Sequence, residues 1–147
     1  MNTLIIFHRY LFKNKIHSAM EIFHTNKPKN EALRDFTKHF YKTKFGCKLL
    51  EGKRYTRAYF IDELRNMPAI HCCYKGMPVF VFYTVIGRNY TKSFVSKVIV
   101  EPNKNKYYMK QQAKENFIET HHLKFNNTRF DRTIRVFFID QYFNNSK

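Results

Sequence analysis

Residues 19–85 read, in succession, AMEIFHTNKPKNEALRDFTKHFYKTKFG, CKLLEGKRYTRAYFIDELRNMP and AIHCCYKGMPVFVFYTV. Alternation at the start predicts a strand over 19–24, with Met20, Ile22 and His24 on one face and Glu21 and Phe23 on the other. Asn26-Lys27-Pro28 breaks it. A helix is expected over 30–45. Asn26 or Asn30 supplies a capping oxygen, Glu31 sits in the electropositive first turn, and Leu33, Phe36 and Phe40 recur at helical spacing. Lys42 and Lys44 complement its carboxyl end, and Gly46 is a natural stop.

A second strand is expected over 53–62, where Tyr55, Arg57, Tyr59 and Ile61 alternate with Arg54, Thr56, Ala58 and Phe60. A third follows over 68–74. Tyr74-Lys75-Gly76-Met77-Pro78 then turns the chain into a fourth strand over 79–86, whose run VFVFYTVI predicts burial on both faces. The tight Lys-Gly turn predicts that the third and fourth strands are antiparallel hairpin partners.

Outside this stretch the signals weaken. Leu4-Ile5-Ile6-Phe7 reads as a short strand or an apolar anchor within a basic arm over 1–18, whose first twenty residues carry Arg9, Lys13 and Lys15 but no acid. That composition also resembles a mitochondrial presequence; an ordered arm is the expectation taken here. Residues 91–101 suit either period, and a helix capped near Asn89 or Thr91 is expected. An extension over 102–147 follows, with a helix over 107–121 that buries Tyr108, Ala113 and Phe117, and an extended segment over 133–138.

The 147 residues fit one domain with tails, and 44% hydrophobic and 18% aromatic content is enough for a core. No internal repeat is legible. Lys and Arg number 27 against 11 Asp and Glu, a net charge of +16 that calls for a polyanionic partner. Phe, Tyr, Ile, Asn and Lys, all residues with AT-rich codons, are abundant, so codon drift competes with partner binding as a source of the Lys excess. Three cysteines, Cys47, Cys72 and Cys73, form no CxxC and suit a reducing compartment rather than a disulfide or zinc scaffold. No apolar run reaches membrane-spanning length.

The order strand, helix, strand, proline, antiparallel hairpin, helix is that of a thioredoxin-like domain. Asn30-Glu31-Ala32-Leu33-Arg34-Asp35-Phe36 after the first strand, with Pro68, Tyr74 and Gly76 beyond it, resembles one family in particular. It is the thioredoxin-like domain shared by mitochondrial large-subunit protein forty-three, a mitochondrial small-subunit protein and the B8 accessory subunit of respiratory complex I. The resemblance covers residues 19–101. Where the family has a Gly/Ser-rich connection before the helix, this chain has His24-Thr25-Asn26-Lys27-Pro28-Lys29.

The resemblance implies an α/β, thioredoxin-like fold: a central mixed four-stranded sheet with flanking helices, an N-terminal arm and a C-terminal extension. It implies a non-catalytic building block without cofactor, because the positions of the redox cysteines fall at 26–30, where no cysteine stands. Pro68 matches the proline that is often cis in such folds, so a cis Met67–Pro68 bond is expected. The functional expectation is a structural constituent of the mitochondrial ribosome, in the matrix, most specifically the large subunit, touching ribosomal RNA and ribosomal proteins. An accessory subunit of complex I is the alternative, and a small basic nuclease or redox enzyme the second.

Other clusters carry less chemistry. Adjacent His121 and His122 point different ways, so a surface role outweighs metal binding even with Glu115 and Glu119 nearby. His71 and Cys73 share one strand face and Cys72 the other, which suits core filling better than a Cys/His nucleophile. Asp62 and Glu63 lack the second carboxylate that a two-metal nuclease needs, and no phosphate-cradling glycine loop or GxSxG occurs. No small-molecule substrate is expected. The cations of the first half are better founded: Arg9, Lys13, Lys15, Lys27, Lys29, Lys48, Lys53, Arg54 and Arg57 are expected to meet RNA. Tyr10, Tyr41 and Tyr55 are interleaved with them for stacking.

Overall fold

The computed structural model describes residues 2–50, 52–71, 75–86, 91–125 and 134–139. Among them it is a mixed α/β chain with two four-stranded sheets and three helices, divided into units Met1–Asn66 and Met67–Lys147.

The first unit is built on β1 (Asn2–Phe12), in which Leu4, Ile5, Ile6, Phe7 and His8 have no exposed surface. A strand without a polar face must lie inside a sheet. Lys13 and Asn14 turn it, both at positive φ, into β2 (Lys15–Thr25), paired antiparallel along its whole length. Two residues at positive φ match the right-handed twist of a two-residue hairpin.

Helix α1 (Lys29–Thr43) follows, with Glu31 in its first turn and Lys42 in its last. Its Ala32, Phe36 and Phe40 pack with Leu4, Ile6 and Leu49. The far edge of β1 is filled by two short antiparallel strands. β3 (Lys48–Leu50) pairs with residues 9–11, and β4 (Arg57–Phe60) with residues 4–7. Between them Gly52, at φ +89, opens a turn closed by Tyr55 and Thr56 N–H on its carbonyl. Helix α2 (Ile61–Arg65) begins where Phe60 N–H donates to Glu63 Oε1 at 2.9 Å.

The second unit holds β5 (Ala69–His71), β6 (Met77–Ile86), β7 (Thr91–Val100), α3 (Lys106–Phe125) and β8 (Arg135–Phe137). Strand order is β5-β7-β6-β8, with β5 parallel to β7 and the other pairs antiparallel. Residues 79–84 of β6 are all buried. Val79, Val81 and Tyr83 pack with Met109, Ala113 and Phe117 of α3. Both units therefore share one topology: a hairpin, a helix, and a return strand antiparallel to the first hairpin strand. The orders β2-β1-β3 and β7-β6-β8 express it.

Several expectations hold. These are α1, β6 with both faces buried, the extended segment near 133–138, now β8, and α3, which buries Ala113 and Phe117 as expected but leaves Tyr108 50% exposed. Others change. Residues 1–18 are not an arm: they supply β1 and the start of β2, because the apolar string of β1 is satisfied only between two neighbours. The expected strand over 19–24 is the second half of β2, and it pairs with β1 in a sheet separate from that of β6. A single central sheet is thus replaced by two. Only Arg57–Phe60 of the strand expected over 53–62 is extended, since the Gly52 turn occupies 52–55.

β5 runs antiparallel to β6 but is not its hairpin partner, since β7 lies between them. The β6 partner is β7, expected as a helix. Its β-branched Thr91, Val95, Val98, Ile99 and Val100 favour the pleated surface that β6 offers. The unit boundary falls at residues 66–67 rather than at 18 and 101. The Met67–Pro68 bond is not cis.

Phe117 is fully buried, its ring 4.5 Å from that of Tyr83, whereas Tyr107 on the same helix is 69% exposed. Phe117→Ala should cost about 3–5 kcal/mol in urea unfolding, and Tyr107→Ala less than about 0.5 kcal/mol. Equal effects would contradict the packing of α3.

Candidate nucleic-acid interface

The nine expected contact residues fall into three groups. Arg9, on β1, is only 6% exposed and is not open to a phosphate. Lys27 and Lys29 flank the start of α1 and are ion-paired within the unit: Lys27 Nζ to Asp35 Oδ2 at 2.7 Å, Lys29 Nζ to Glu63 Oε1 at 2.8 Å. Lys29 also lies over the Tyr59 and Phe60 rings. Arg57, half-buried on β4, sits 5.9 Å from the Tyr59 ring centre. The remaining five, Lys13, Lys15, Lys48, Lys53 and Arg54, are exposed.

Register brings three of these five together. Lys13 lies in the hairpin turn, Lys15 stands opposite Phe12, and Lys48 stands opposite Leu11. All three therefore reach the same end of the first sheet. The carboxyl end of α1 brings Lys44 there, 5.9 Å from the centre of the Tyr10 ring, which stacks on His17 at 5.3 Å and 20°. Lys13 lies 5.2 Å over Phe12. Phe45 is 83% exposed just beyond the helix. Exposed cations interleaved with open aromatic faces suit single-stranded nucleic acid, which offers both phosphates and unpaired bases.

A cavity of about 270 Å³ adjoins this cluster where α1 meets β3 and the Gly52 turn. Leu33, Phe36 and Leu49 form its apolar lining; Arg34, Thr37, Lys53 and Thr56 complete it. Tyr41 Oη accepts the Leu49 N–H at 3.1 Å, tying β3 to α1. Thr37 Oγ1 donates to Leu33 O and Thr56 Oγ1 to Leu50 O, which leaves each hydroxyl able to accept. Arg34 and Phe45 were not singled out in the sequence. Arg34 was masked by the apolar stripe of its own helix, and Phe45 by its place next to a helix stop.

The acids of this unit lie mostly elsewhere. Asp35 and Glu63 are bound to Lys27 and Lys29, and Asp62 pairs with Arg65 at 3.5 Å. The Lys27 ammonium holds the Asp35 carboxyl below its usual range. Burial pushes Glu63 up, but the Lys29 ammonium and the Phe60 N–H outweigh it and the net shift is down. His8, with Nε2 3.7 Å from Oε1, lowers Glu21 in the same sense, against the opposing effect of burial. The carboxylates paired with Lys27, Lys29 and Arg65 lie around the start of α1 and around α2, whereas Lys13, Lys15 and Lys48 at the other end form no ion pair with a described carboxylate and Lys44 acts on Glu21 only through space.

The other clusters bring no chemistry together. His121 packs its ring on Phe117 at 4.3 Å and Tyr83 at 5.4 Å, and the His122 side chain lies outside the described residues. His71 is exposed at the end of β5, while Cys72 and Cys73 also lie outside them. Among the described residues no group of three or more His, Cys, Asp or Glu is placed to hold a metal ion. No described helix is long and apolar enough to cross a membrane. No protein-family model, curated protein or solved structure matches this chain.

A carboxyl whose pKa is depressed on folding stabilises the fold above its ordinary value, and that contribution disappears as pH falls through the depressed value. Glu21, Asp35 and Glu63 all shift this way. The thermal midpoint should therefore fall as pH drops below the ordinary carboxylate range, and Glu63→Gln should fall less steeply than wild type. A midpoint flat across that window would contradict the pairings.

Proposed function

We propose that this protein is a non-catalytic, RNA-contacting constituent of a large ribonucleoprotein assembly. The observation that carries the reading is the segregation of charge in the first unit. Lys27 and Lys29 spend their charge on internal carboxylates. Lys13, Lys15, Lys44 and Lys48 converge with aromatic rings at the opposite end of the sheet. Cations there neutralise phosphates and release counterions, and this term is independent of sequence.

The particular assembly we propose is the mitochondrial ribosome, in the matrix, with ribosomal RNA and ribosomal proteins as partners. That step rests on the resemblance of residues 30–36, Pro68, Tyr74 and Gly76 alone, because the strand order departs from the single thioredoxin-like sheet the resemblance implies. The same resemblance leads to an accessory subunit of complex I, whose partners are proteins. The net charge of +16 favours RNA over it.

Binding of the purified chain to single-stranded RNA, titrated with salt, tests the reading. Contact with about four phosphates gives a log–log slope of about −3, at about −0.7 for each. Reversing Lys44 and Lys48 to Glu should weaken binding at low salt and flatten the slope by about 1–2. Reversing Lys27 and Lys29 should weaken it less. Salt-independent binding, or equal loss from both pairs, would contradict the reading.

A further inference from the structure

We infer that the cavity between α1, β3 and the Gly52 turn is a pocket for one unpaired nucleobase, with Arg34 and Lys53 taking the flanking phosphates. The inference rests on the RNA-contacting reading and gives it a specific site. Its first support is shape. A volume of about 270 Å³ lined by Leu33, Phe36 and Leu49 exceeds what a void between packed elements requires. It is of the size of a base with part of its ribose.

The second support is the order of chemistry. The apolar lining comes from the α1 stripe and from Leu49, which is 4% exposed. Thr37 and Thr56, with free acceptor lone pairs, flank it, and two exposed cations complete the site. Neither Arg34 nor Lys53 is salt-bridged to a carboxylate among the described residues. An occupant that is flat and apolar in its body, offers N–H donors at its edge and carries negative charge beside it fits all three features. A nucleotide within a single strand has that construction, and Arg adds a planar face for stacking.

The third support is continuity. Alternation puts Lys48 on the sheet face opposite Leu49, so the path to the pocket runs from Lys44, which lies over the Tyr10 ring packed against the same core cluster as Leu49 and Phe36. Gly52 borders open space on this side: a Cβ at that position would meet nothing within 4 Å.

The test compares oligouridine with an equally long chain of abasic ribose phosphates, using the full-length protein. Base stacking in a pocket predicts a loss of about tenfold or more in affinity on removing the bases. Thr37→Trp, which fills the cavity from α1, should bring oligouridine down to the abasic affinity and leave abasic binding unchanged. Phe45→Ala, which removes an open ring at the cationic end, should reduce the difference less than Thr37→Trp does. Equal affinity of wild type for the two chains overturns the pocket while a steep salt slope leaves the RNA-contacting reading standing. A difference that survives Thr37→Trp but disappears in Phe45→Ala also overturns it, placing stacking on the open ring. Failure to bind either chain at low salt overturns both. The wild-type comparison decides the matter even if the tryptophan variant does not fold.

Discussion

A strand with no polar face has to be an interior strand, and this requirement organises each unit. Residues 4–8 of β1 and 79–84 of β6 are buried whichever way their side chains point. Each therefore needs hydrogen-bonding neighbours on both edges and a cover over its pleat. The next strand in sequence supplies one antiparallel neighbour at low loop-closure cost, the next helix covers one face, and the chain returns as a short strand on the remaining edge. The two units reach the same order from sequences that share no legible repeat. The pattern of burial is common to them, and the residues that produce it are not.

The return strand is also what makes a site. In the first unit it is divided into β3 and β4 by the Gly52 turn, and the division leaves room beneath α1 for the cavity. In the second, β8 pairs with residues 80–82. Charge follows the same geometry. Acids in α1 and α2 are near enough to Lys27 and Lys29 to neutralise them, whereas the hairpin turn and β3 have no described carboxylate within ion-pair reach. Exposed ion pairs of this kind are weak individually, so their consequence lies in where positive charge is left over more than in stability.

Much of this was legible where one period dominates. The VFVFYTVI run declared β6, and Leu33, Phe36 and Phe40 declared α1. Reading failed where polar residues are buried or two periods coincide. Arg9, with Lys13 and Lys15 beyond it and no acid nearby, made the first strand look like a basic arm, yet Arg9 is buried. Phe94, Val95, Val98 and Ile99 satisfy a helical stripe and a strand equally, and only the partner β6 decides between them. Of the expected contact residues, Lys13, Lys15, Lys48, Lys53 and Arg54 emerge exposed. The internal partners of Lys27 and Lys29 lie too far along the chain to be seen by spacing. Arg34 and the cavity needed the helix to be set against β3 before they became visible.

The most direct test of the account is ultraviolet crosslinking of the native protein to RNA, followed by mapping of the modified peptides. The account predicts crosslinks within residues 10–17 and 41–56, where aromatic rings stand among exposed cations. Crosslinks confined to residues 26–30, or none above background, would contradict it.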